Sequence, residues 1–242
     1  MDQPIYQLLW EAEDRLWWYA GLRAHVLNRL NQCLPRGRTG RVLDVGCGAG
    51  RLMGELRRYG EVIGMDVELQ ALRFTGSRGE RWLCQADARD LPFRDGSFNA
   101  VLALDVVEHV EDDRHALREI GRVLAPGGVA VINVPAFQWL WSGKDEQAHH
   151  HRRYTRRELL GKLPPSLRVA HVSFWNTVLL PPIALTRAFQ RARGINPDLA
   201  KELKPPEAVN RLLTGLMRLE APLVSWPGLP FGVSLLCTVV KQ

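Results

Sequence analysis

Three aspartates stand where short apolar runs end, an arrangement that can bind a nucleotide at the edge of a parallel sheet. The first, Asp44, leads into the segment Gly46–Gly50, in which glycines alternate with small residues. Such a loop brings backbone N–H groups close to a ligand, because glycine adopts backbone angles that a side chain forbids. Asp66 ends a second run, and a carboxylate there accepts hydrogen bonds from ribose hydroxyls. Asp87 ends a third run. In this position its carboxylate could accept a hydrogen bond from the exocyclic amine of adenine.

A second group of reactive side chains follows the segment predicted to form the fifth strand. The run His149–Tyr154 reads His-His-His-Arg-Arg-Tyr. Histidine is well suited to removing a proton near neutral pH, and arginine can grip an anionic group on a substrate. Each histidine could equally be a surface or packing residue, and His109 is an alternative base. The candidates for catalysis are His149, His150, His151, His109, Arg152, Arg153 and Tyr154.

Strands and helices alternate along the chain and would position these residues. The predicted strands after the first, which ends at Asp44–Val45, are Glu61–Asp66, Arg81–Ala88, a fourth that with its exit loop spans Phe98–Val110, Val129–Val134, Leu167–Phe174 and Ser234–Lys241. From Arg41 to Val134 this order resembles the class I S-adenosylmethionine-dependent methyltransferases. The motif Leu140-Trp141-Ser142, Asp145 and His-Arg-Arg-Tyr-Thr resembles a bacterial subgroup akin to the broad small-molecule family. The resemblance implies an α/β fold with a Rossmann-like seven-stranded sheet and helices on both faces. It also implies an antiparallel last strand, inserted between the fifth and sixth.

The same resemblance implies S-adenosylmethionine as the cofactor and a set of residues that bind it. An NAD enzyme fits less well, because Arg51 stands where the dinucleotide fingerprint has its third glycine. The aromatic N-terminal segment would serve as a lid, from which Arg23 could reach the methionine carboxylate. The predicted cofactor-binding residues are Asp44, Gly46, Cys47, Gly48, Gly50, Asp66, Val67, Asp87, Ala88, Leu104, Tyr19 and Arg23.

We expect residues 1–242 to form a single methyltransferase domain. Residues 1–36 would form a helical lid, 41–134 the cofactor-binding core, and 135–242 the substrate-side loop, a helical insertion and the last strands. The insertion, Trp175–Val233, is long for a connection between strands, and connections of this length usually carry function. Two helices are predicted around Asn196–Pro206, and Pro181-Pro182 is expected to interrupt the apolar stretch near Thr177–Ala184.

A possible metal site lies after the fourth strand. Asp105-Val106-Val107-Glu108-His109, with Asp112 beyond it, resembles the E-x-x-E-H pattern of ubiquinone-pathway O-methyltransferases, with Asp105 in place of the first Glu. Carboxylates and a histidine this close could hold Mg²⁺ against a catechol-like acceptor. The same Glu-His pair is widespread in metal-free relatives, where the histidine shapes the cofactor pocket. We therefore expect no metal.

The composition of the chain indicates its cellular compartment but does not identify its binding partner. Apolar residues make up 46% of the chain, which is ample for a core, and none of the four cysteines forms a C-x-x-C pair. We find no signal peptide and no apolar run of the roughly twenty residues that span a bilayer, so we expect a cytoplasmic protein. The net charge of +6 could meet a phosphate-bearing substrate, a nucleic acid or an anionic membrane. Apolar and arginine-rich stretches of the insertion predict a peripheral membrane contact or a homodimer.

The acceptor class is restricted by what is missing after the fourth strand. Leu104-Asp105-Val106-Val107 stands where adenine and amino-group methylases carry N/D-P-P-Y/F/W. We therefore expect methylation of oxygen on a small molecule, a sugar or a lipid-linked intermediate, which could be anionic. Two alternatives stay open. One is an RNA methyltransferase that uses the basic surface, and the other is a non-catalytic scaffold that binds the cofactor.

Overall fold

The computed structural model describes residues 3–34, 40–195 and 203–242. The strands are β1 (Gly40–Val45), β2 (Gly60–Asp66), β3 (Leu83–Gln85), β4 (Phe98–Leu104), β5 (Leu124–Pro135), β6 (Leu167–Trp175) and β7 (Ser234–Lys241). The helices are α1 (Gln3–Arg15), α2 (Trp17–Cys33), α3 (Met53–Leu56), α4 (Leu69–Ser77), α5 (Asp113–Val123), α6 (Gly143–Gln147), α7 (Arg156–Leu160), α8 (Leu180–Arg193) and α9 (Glu207–Ser225). β3 is shorter than expected, and β5 begins at Leu124 rather than at the expected Val129.

The strands form one seven-stranded sheet in the order β3-β2-β1-β4-β5-β7-β6. β1 pairs in parallel with β2 and β4, and β4 pairs in parallel with β5. β7 runs antiparallel to both of its neighbours, β5 and β6. The expected fold class and the position of the last strand are confirmed. The carboxyl ends of the parallel strands therefore meet at one edge, which is where open α/β sheets bind ligands.

Two apolar layers cover the sheet, one on each face. Successive residues of a strand point to opposite faces, so Leu43 joins one layer and Val42 joins the other. The Leu43 layer includes Leu117 of α5, and the Val42 layer includes Val26 of α2 and Met217 of α9. The N-terminal segment and the insertion thus pack on the same face.

One side chain of the insertion holds the junction between α1 and α2. Asn210 of α9 accepts a hydrogen bond from the Trp17 amide at 2.8 Å and donates one to the Arg15 carbonyl at 2.7 Å. These two residues flank Leu16, where the chain turns from one helix into the next. Lys204 adds an ion pair with Glu11 of α1 at 2.9 Å. The insertion therefore sets the position of the lid.

The insertion differs from expectation in where its helices lie. α8 and α9 flank the predicted helical region near 196–206, of which residues 196–202 lie outside the described ranges. Pro181 and Pro182 do not break the structure, because they occupy the first turn of α8, where an amide N–H has no helical partner to lose. Among the helices of the described ranges, none is long and apolar enough to cross a bilayer.

Candidate functional site

A cavity of about 750 Å³ opens at the carboxyl edge of the sheet, between the glycine loop and the N-terminal helices. This volume is typical of small-molecule sites. Many of the predicted site residues line it, from both the cofactor and the catalytic sets. They are Asp44, Cys47, Gly48, Asp66, Leu104, Tyr19, Arg23, His109 and His150.

The glycine loop has the conformation that its sequence predicts. Gly46, Gly48 and Gly50 have φ angles of 68°, 58° and 80°, in the left-handed region that favours glycine. A β-carbon on Gly50 would lie 2.5 Å from the Thr75 side chain, which leaves no room for another residue. Asp66 at the end of β2 accepts a hydrogen bond from the Gly48 amide at 3.0 Å, so the two predicted cofactor motifs meet directly.

Helix α1 supplies a carboxylate to this loop that no local sequence pattern indicates. Glu13 of α1 accepts hydrogen bonds from the Ala49 amide at 2.8 Å and the Arg51 amide at 3.1 Å, and it lines the cavity. Arg23 of α2 donates to the Glu13 carbonyl and lies 3.4 Å from the Glu55 carboxylate. Only the tertiary fold brings Glu13 to the loop, so a local pattern could not have identified it.

Buried carboxylates dominate the electrostatics of this part of the cavity. Burial raises the pKa of Asp44 to about 8, and the neighbouring charges of Glu13 and Asp66 add to the shift. Burial also raises the pKa of Glu13 and that of Asp66, although backbone amides hydrogen-bonded to each carboxylate oppose the rise. A site of this kind gains stability from a positively charged ligand, because a cation nearby favours ionised carboxylates.

Five of the predicted cofactor residues do not line the cavity: Gly46, Gly50, Val67, Asp87 and Ala88. The two glycines shape the loop. Val67 is 58% exposed, and Ala88 is buried in the core. Asp87 forms an ion pair with Arg89 at 2.7 Å. A contact between Asp87 or its neighbours and the cofactor stays a prediction.

On the other side of the cavity, a histidine and an aspartate form an oriented pair. His150 Nδ1 lies 2.9 Å from Asp145 Oδ1, while the ring lines the cavity. Asp145 is buried and also accepts two hydrogen bonds from Arg153, at 2.7 and 3.1 Å. Burial alone would raise the pKa of Asp145, but the hydrogen bonds from His150 and Arg153 outweigh it and hold that pKa well below its usual range. An ionised Asp145 fixes the proton on Nδ1 of a neutral His150, which leaves Nε2 able to accept a proton.

The backbone decides which of the three consecutive histidines faces the cavity. His149 has a φ of 57°, a left-handed conformation that histidine tolerates better than most residues, and it follows the end of α6. The turn places His150 in the cavity and leaves His151 exposed, with its amide bonded to the Glu108 carbonyl at 2.8 Å. A catalytic part for His149 or His151 stays a prediction that this geometry does not favour.

Arg152, Arg153 and Tyr154 all have partners within the protein and lie outside the cavity lining. Arg152 pairs with Asp113 at 2.9 Å, and the Tyr154 hydroxyl donates to the same carboxylate at 2.8 Å. Arg153 is buried against Asp145. Their predicted contact with an anionic acceptor remains untested, and the observed pairs give them a framework role.

Glu108 and His109 complete the acceptor side. The His109 ring meets the His150 ring edge to face at 4.6 Å, and burial lowers the pKa of His109 to about 4. Glu108 is fully buried, and burial raises its pKa well above the usual value. One ligand atom from each of Glu108, His109 and His150 lies within 4.8 Å of the others, a spacing that could accept a divalent cation. The expectation that no metal is used therefore stays a prediction.

Asp105 joins the two sides of the cavity, which it also lines. It has a φ of 55° and accepts a hydrogen bond from Asn133 Nδ2 at 2.7 Å. Asn133 in turn accepts one from the Trp175 indole at 2.8 Å. This chain from β6 through β5 fixes a carboxylate between the cofactor residues and His150.

A family model described as a methyltransferase domain matches residues 43–132, which include the end of β1, the glycine loop, Asp66 and Asp105. Over these residues the chain matches the methyltransferase domain that its sequence resembles. This confirms the resemblance to the class I S-adenosylmethionine-dependent methyltransferases.

The chain is similar to named methyltransferases over part of its length. It is 28% identical to a malonyl-[acyl-carrier protein] O-methyltransferase of a Marinomonas strain, over 65% of this chain and 65% of that protein. It is 27% identical to a Bos taurus protein named probable tRNA methyltransferase 9B, over 56% of this chain and 29% of that protein. The chain thus spans less than two thirds of either relative.

A solved structure of similar fold is an S-adenosylmethionine-dependent methyltransferase from Mesorhizobium loti. The two align with a TM-score of 0.57 at 19% identity, over 90% of this chain and 98% of that one. At this identity the comparison supports the fold.

The residues present fit the cofactor of this methyltransferase family. S-adenosylmethionine carries a sulfonium and an ammonium group, and the cavity offers the buried carboxylate of Asp44 and the half-buried carboxylate of Asp66 to positive charge. Asp66 ends β2, where a carboxylate meets ribose hydroxyls, and Arg23 is one of the lining cations that could meet the amino-acid carboxylate.

Proposed function

We propose that this chain transfers a methyl group from S-adenosylmethionine to an oxygen atom of a small-molecule, sugar or lipid-linked acceptor, with His150 as the base. The observation that carries the proposal is the Asp145–His150 pair at 2.9 Å in the same cavity as the cofactor residues. When bound, the cofactor supplies an electrophilic methyl group on a sulfonium.

The proposed reaction is a single displacement. The acceptor oxygen forms a bond to the methyl carbon, the carbon–sulfur bond breaks, and its electron pair remains on sulfur. His150 Nε2 takes the hydroxyl proton as the oxygen attacks, and the ionised Asp145 stabilises the imidazolium that results. The remaining contribution is proximity, because holding acceptor and methyl donor in line can lower the barrier by about 7–11 kcal/mol.

The relative named an O-methyltransferase supports transfer to oxygen. A second candidate, methylation of RNA, is favoured by the relative named a tRNA methyltransferase and by the net charge of +6. RNA binding through phosphates would weaken steeply as salt rises. A small acceptor would show no such dependence.

The test is incubation of the protein with cofactor labelled in its methyl group, together with a small-metabolite extract, a lipid extract and total RNA in separate reactions. We expect label in one of the first two, on oxygen, and loss of that label with His150→Ala. Label in RNA alone would contradict the proposal and indicate an RNA methyltransferase. Cofactor binding without label in any extract would indicate a scaffold.

A further inference from the structure

Helix α8 leaves an apolar face uncovered. None of its residues, Leu180–Arg193, is buried in the chain. Leu185 is 72% exposed and Phe189 is 54% exposed, and side chains four residues apart lie on the same side of a helix. A helix with no buried residue gains little stability from packing on the protein core. Its exposed apolar face is therefore suited to bind a partner molecule or a membrane.

The charge around this face has one sign. Between Asn176 and Ile195 the sequence contains Arg187, Arg191 and Arg193 and no aspartate or glutamate. The Arg193 guanidinium lies 4.9 Å from the centre of the Phe189 ring, so a cation borders the apolar side chains directly. The combination of an apolar face and an arginine border is typical of helices that lie in a membrane interface.

The end of α9 lies near the start of the insertion and carries further exposed apolar side chains. Glu220 of α9 accepts a hydrogen bond from the Thr177 amide at 3.1 Å, which holds the start of the insertion against this helix. Around that contact Leu219 is 76% exposed and Leu223 is 51% exposed, four residues apart. Trp226 follows at 79% exposure, and tryptophan favours the level of lipid headgroups. We call these five exposed apolar residues and Arg193 the insertion face: Leu185, Phe189, Leu219, Leu223 and Trp226.

We propose that the insertion face binds the surface of an anionic lipid bilayer. Its apolar side chains would enter the boundary between headgroups and acyl chains, and Arg193, which borders Phe189, would meet the negative headgroups. A second copy of the chain fits α8 less well. Self-contact across a twofold axis would place its arginines against one another without a carboxylate to neutralise them.

The insertion face is connected to the acceptor side of the cavity. Arg187 donates to the Leu140 carbonyl, and Arg191 donates to the Trp139 carbonyl at 2.9 Å. Both carbonyls belong to the loop that leads into α6, Asp145 and His150. A bilayer that binds α8 would therefore lie beside the loop that receives the acceptor. Resting on the proposed function, this assigns the acceptor to amphiphiles whose methylated oxygen lies at the headgroup level.

The test is sedimentation of the full chain with vesicles. We expect it to sediment with phosphatidylcholine vesicles that contain about one third phosphatidylglycerol, and to stay in solution with phosphatidylcholine alone or at high salt. Leu185→Asp with Phe189→Asp should abolish sedimentation, and Arg193→Gln should weaken it about fivefold. The matched control is Trp82→Asp, since Trp82 is 62% exposed beside β3, at the opposite edge of the sheet from β6 and α8.

Light scattering and cofactor calorimetry on each variant separate the outcomes. A chain that stays in the supernatant with anionic vesicles overturns the proposal. A dimer that becomes monomeric in the variant with Leu185→Asp and Phe189→Asp also overturns it. The same holds if Trp82→Asp reduces sedimentation as much as that variant does. Label transfer from the cofactor to an extract without vesicle binding would refute the membrane surface alone. Vesicle binding without any labelled product would instead refute the proposed methyl transfer.

Discussion

Asp145 and Asp113 on the acceptor side differ in the direction of their pKa shifts from Asp44 and Asp66 on the cofactor side, whereas the pKa of Glu108 on the acceptor side is raised like those of the cofactor side. On the cofactor side, burial raises the pKa values of Asp44 and Asp66. On the acceptor side, cationic and hydrogen-bonding partners lower the pKa values of Asp145 and Asp113 against the effect of burial. Asp145 is paired with Arg153, and Asp113 with Arg152 and Lys162.

This difference separates binding groups from framework groups. A buried carboxylate without a cation of its own gains most from a positively charged ligand, so Asp44 and Asp66 are suited to bind one. A carboxylate already paired with arginine has few free acceptor positions for a ligand, but its hydrogen bonds hold the neighbouring side chains in place. Asp145 uses that rigidity to orient His150.

The largest effect should come from removing the oriented base. We expect His150→Ala to lower turnover about 100-fold or more while cofactor affinity, measured by calorimetry, stays nearly unchanged. His151→Ala is the control, because His151 is exposed and does not line the cavity. Wild-type turnover in His150→Ala would pass the role to His109 or to no residue.

The next effect concerns the cofactor side. Asp66→Ala should weaken cofactor binding by about 1–3 kcal/mol, which is the range for a lost hydrogen bond to a charged group. Asp95→Ala should have no effect, because Asp95 is 78% exposed and pairs with Arg122 far from the cavity. Unchanged affinity in both Asp66→Ala and Gly48→Val would contradict the assignment of this edge to the cofactor.

Binding should also depend on pH in a stated direction. With a pKa of about 8, Asp44 is mostly protonated at neutral pH, and a cationic ligand must drive its ionisation. Affinity for the cofactor should therefore rise with pH below that value, by at most about tenfold per pH unit for one proton. Asp44→Asn should remove the slope. An affinity that falls as pH rises toward 8 would show that Asp44 binds in its neutral form.

Tyr154→Phe tests whether Tyr154 stabilises the structure of the acceptor side rather than taking part in catalysis. Loss of the hydroxyl that donates to Asp113 should reduce the free energy of unfolding by about 1–2 kcal/mol in urea denaturation, with cofactor affinity unchanged. If turnover fell sharply while stability did not, Tyr154 would belong to the catalytic set instead.

The smallest effect expected is none. Incubation with a chelator should leave turnover unchanged, since His150 acts as a base and needs no cation. Loss of turnover that Mg²⁺ restores would mean that Glu108, His109 and His150 hold a metal, in which case His150 could not be the free base.

The cofactor half could be predicted because its signals are local. An apolar strand, alternating glycines and a carboxylate at the next strand end specify both the turn and its chemistry, and Asp66 indeed meets the Gly48 amide. Glu13 could not be predicted in this way, because it reaches the loop from a helix far earlier in the chain. Three consecutive histidines look alike in sequence, and the left-handed φ of His149 selects His150. Pro181-Pro182 interrupts the apolar stretch near Thr177–Ala184, and the same two residues occupy the first turn of α8, where proline fits a helix.

The two hydrogen bonds of Asn210 have a consequence for how this protein could be recombined with its relatives. They join the junction of α1 and α2 to α9, so the first thirty or so residues and the insertion share a mechanical connection that the intervening sheet does not provide. A chimera that exchanged the N-terminal helices alone would keep Asn210 but lose the junction whose Trp17 amide and Arg15 carbonyl it binds. A graft of one segment therefore calls for a graft of the other.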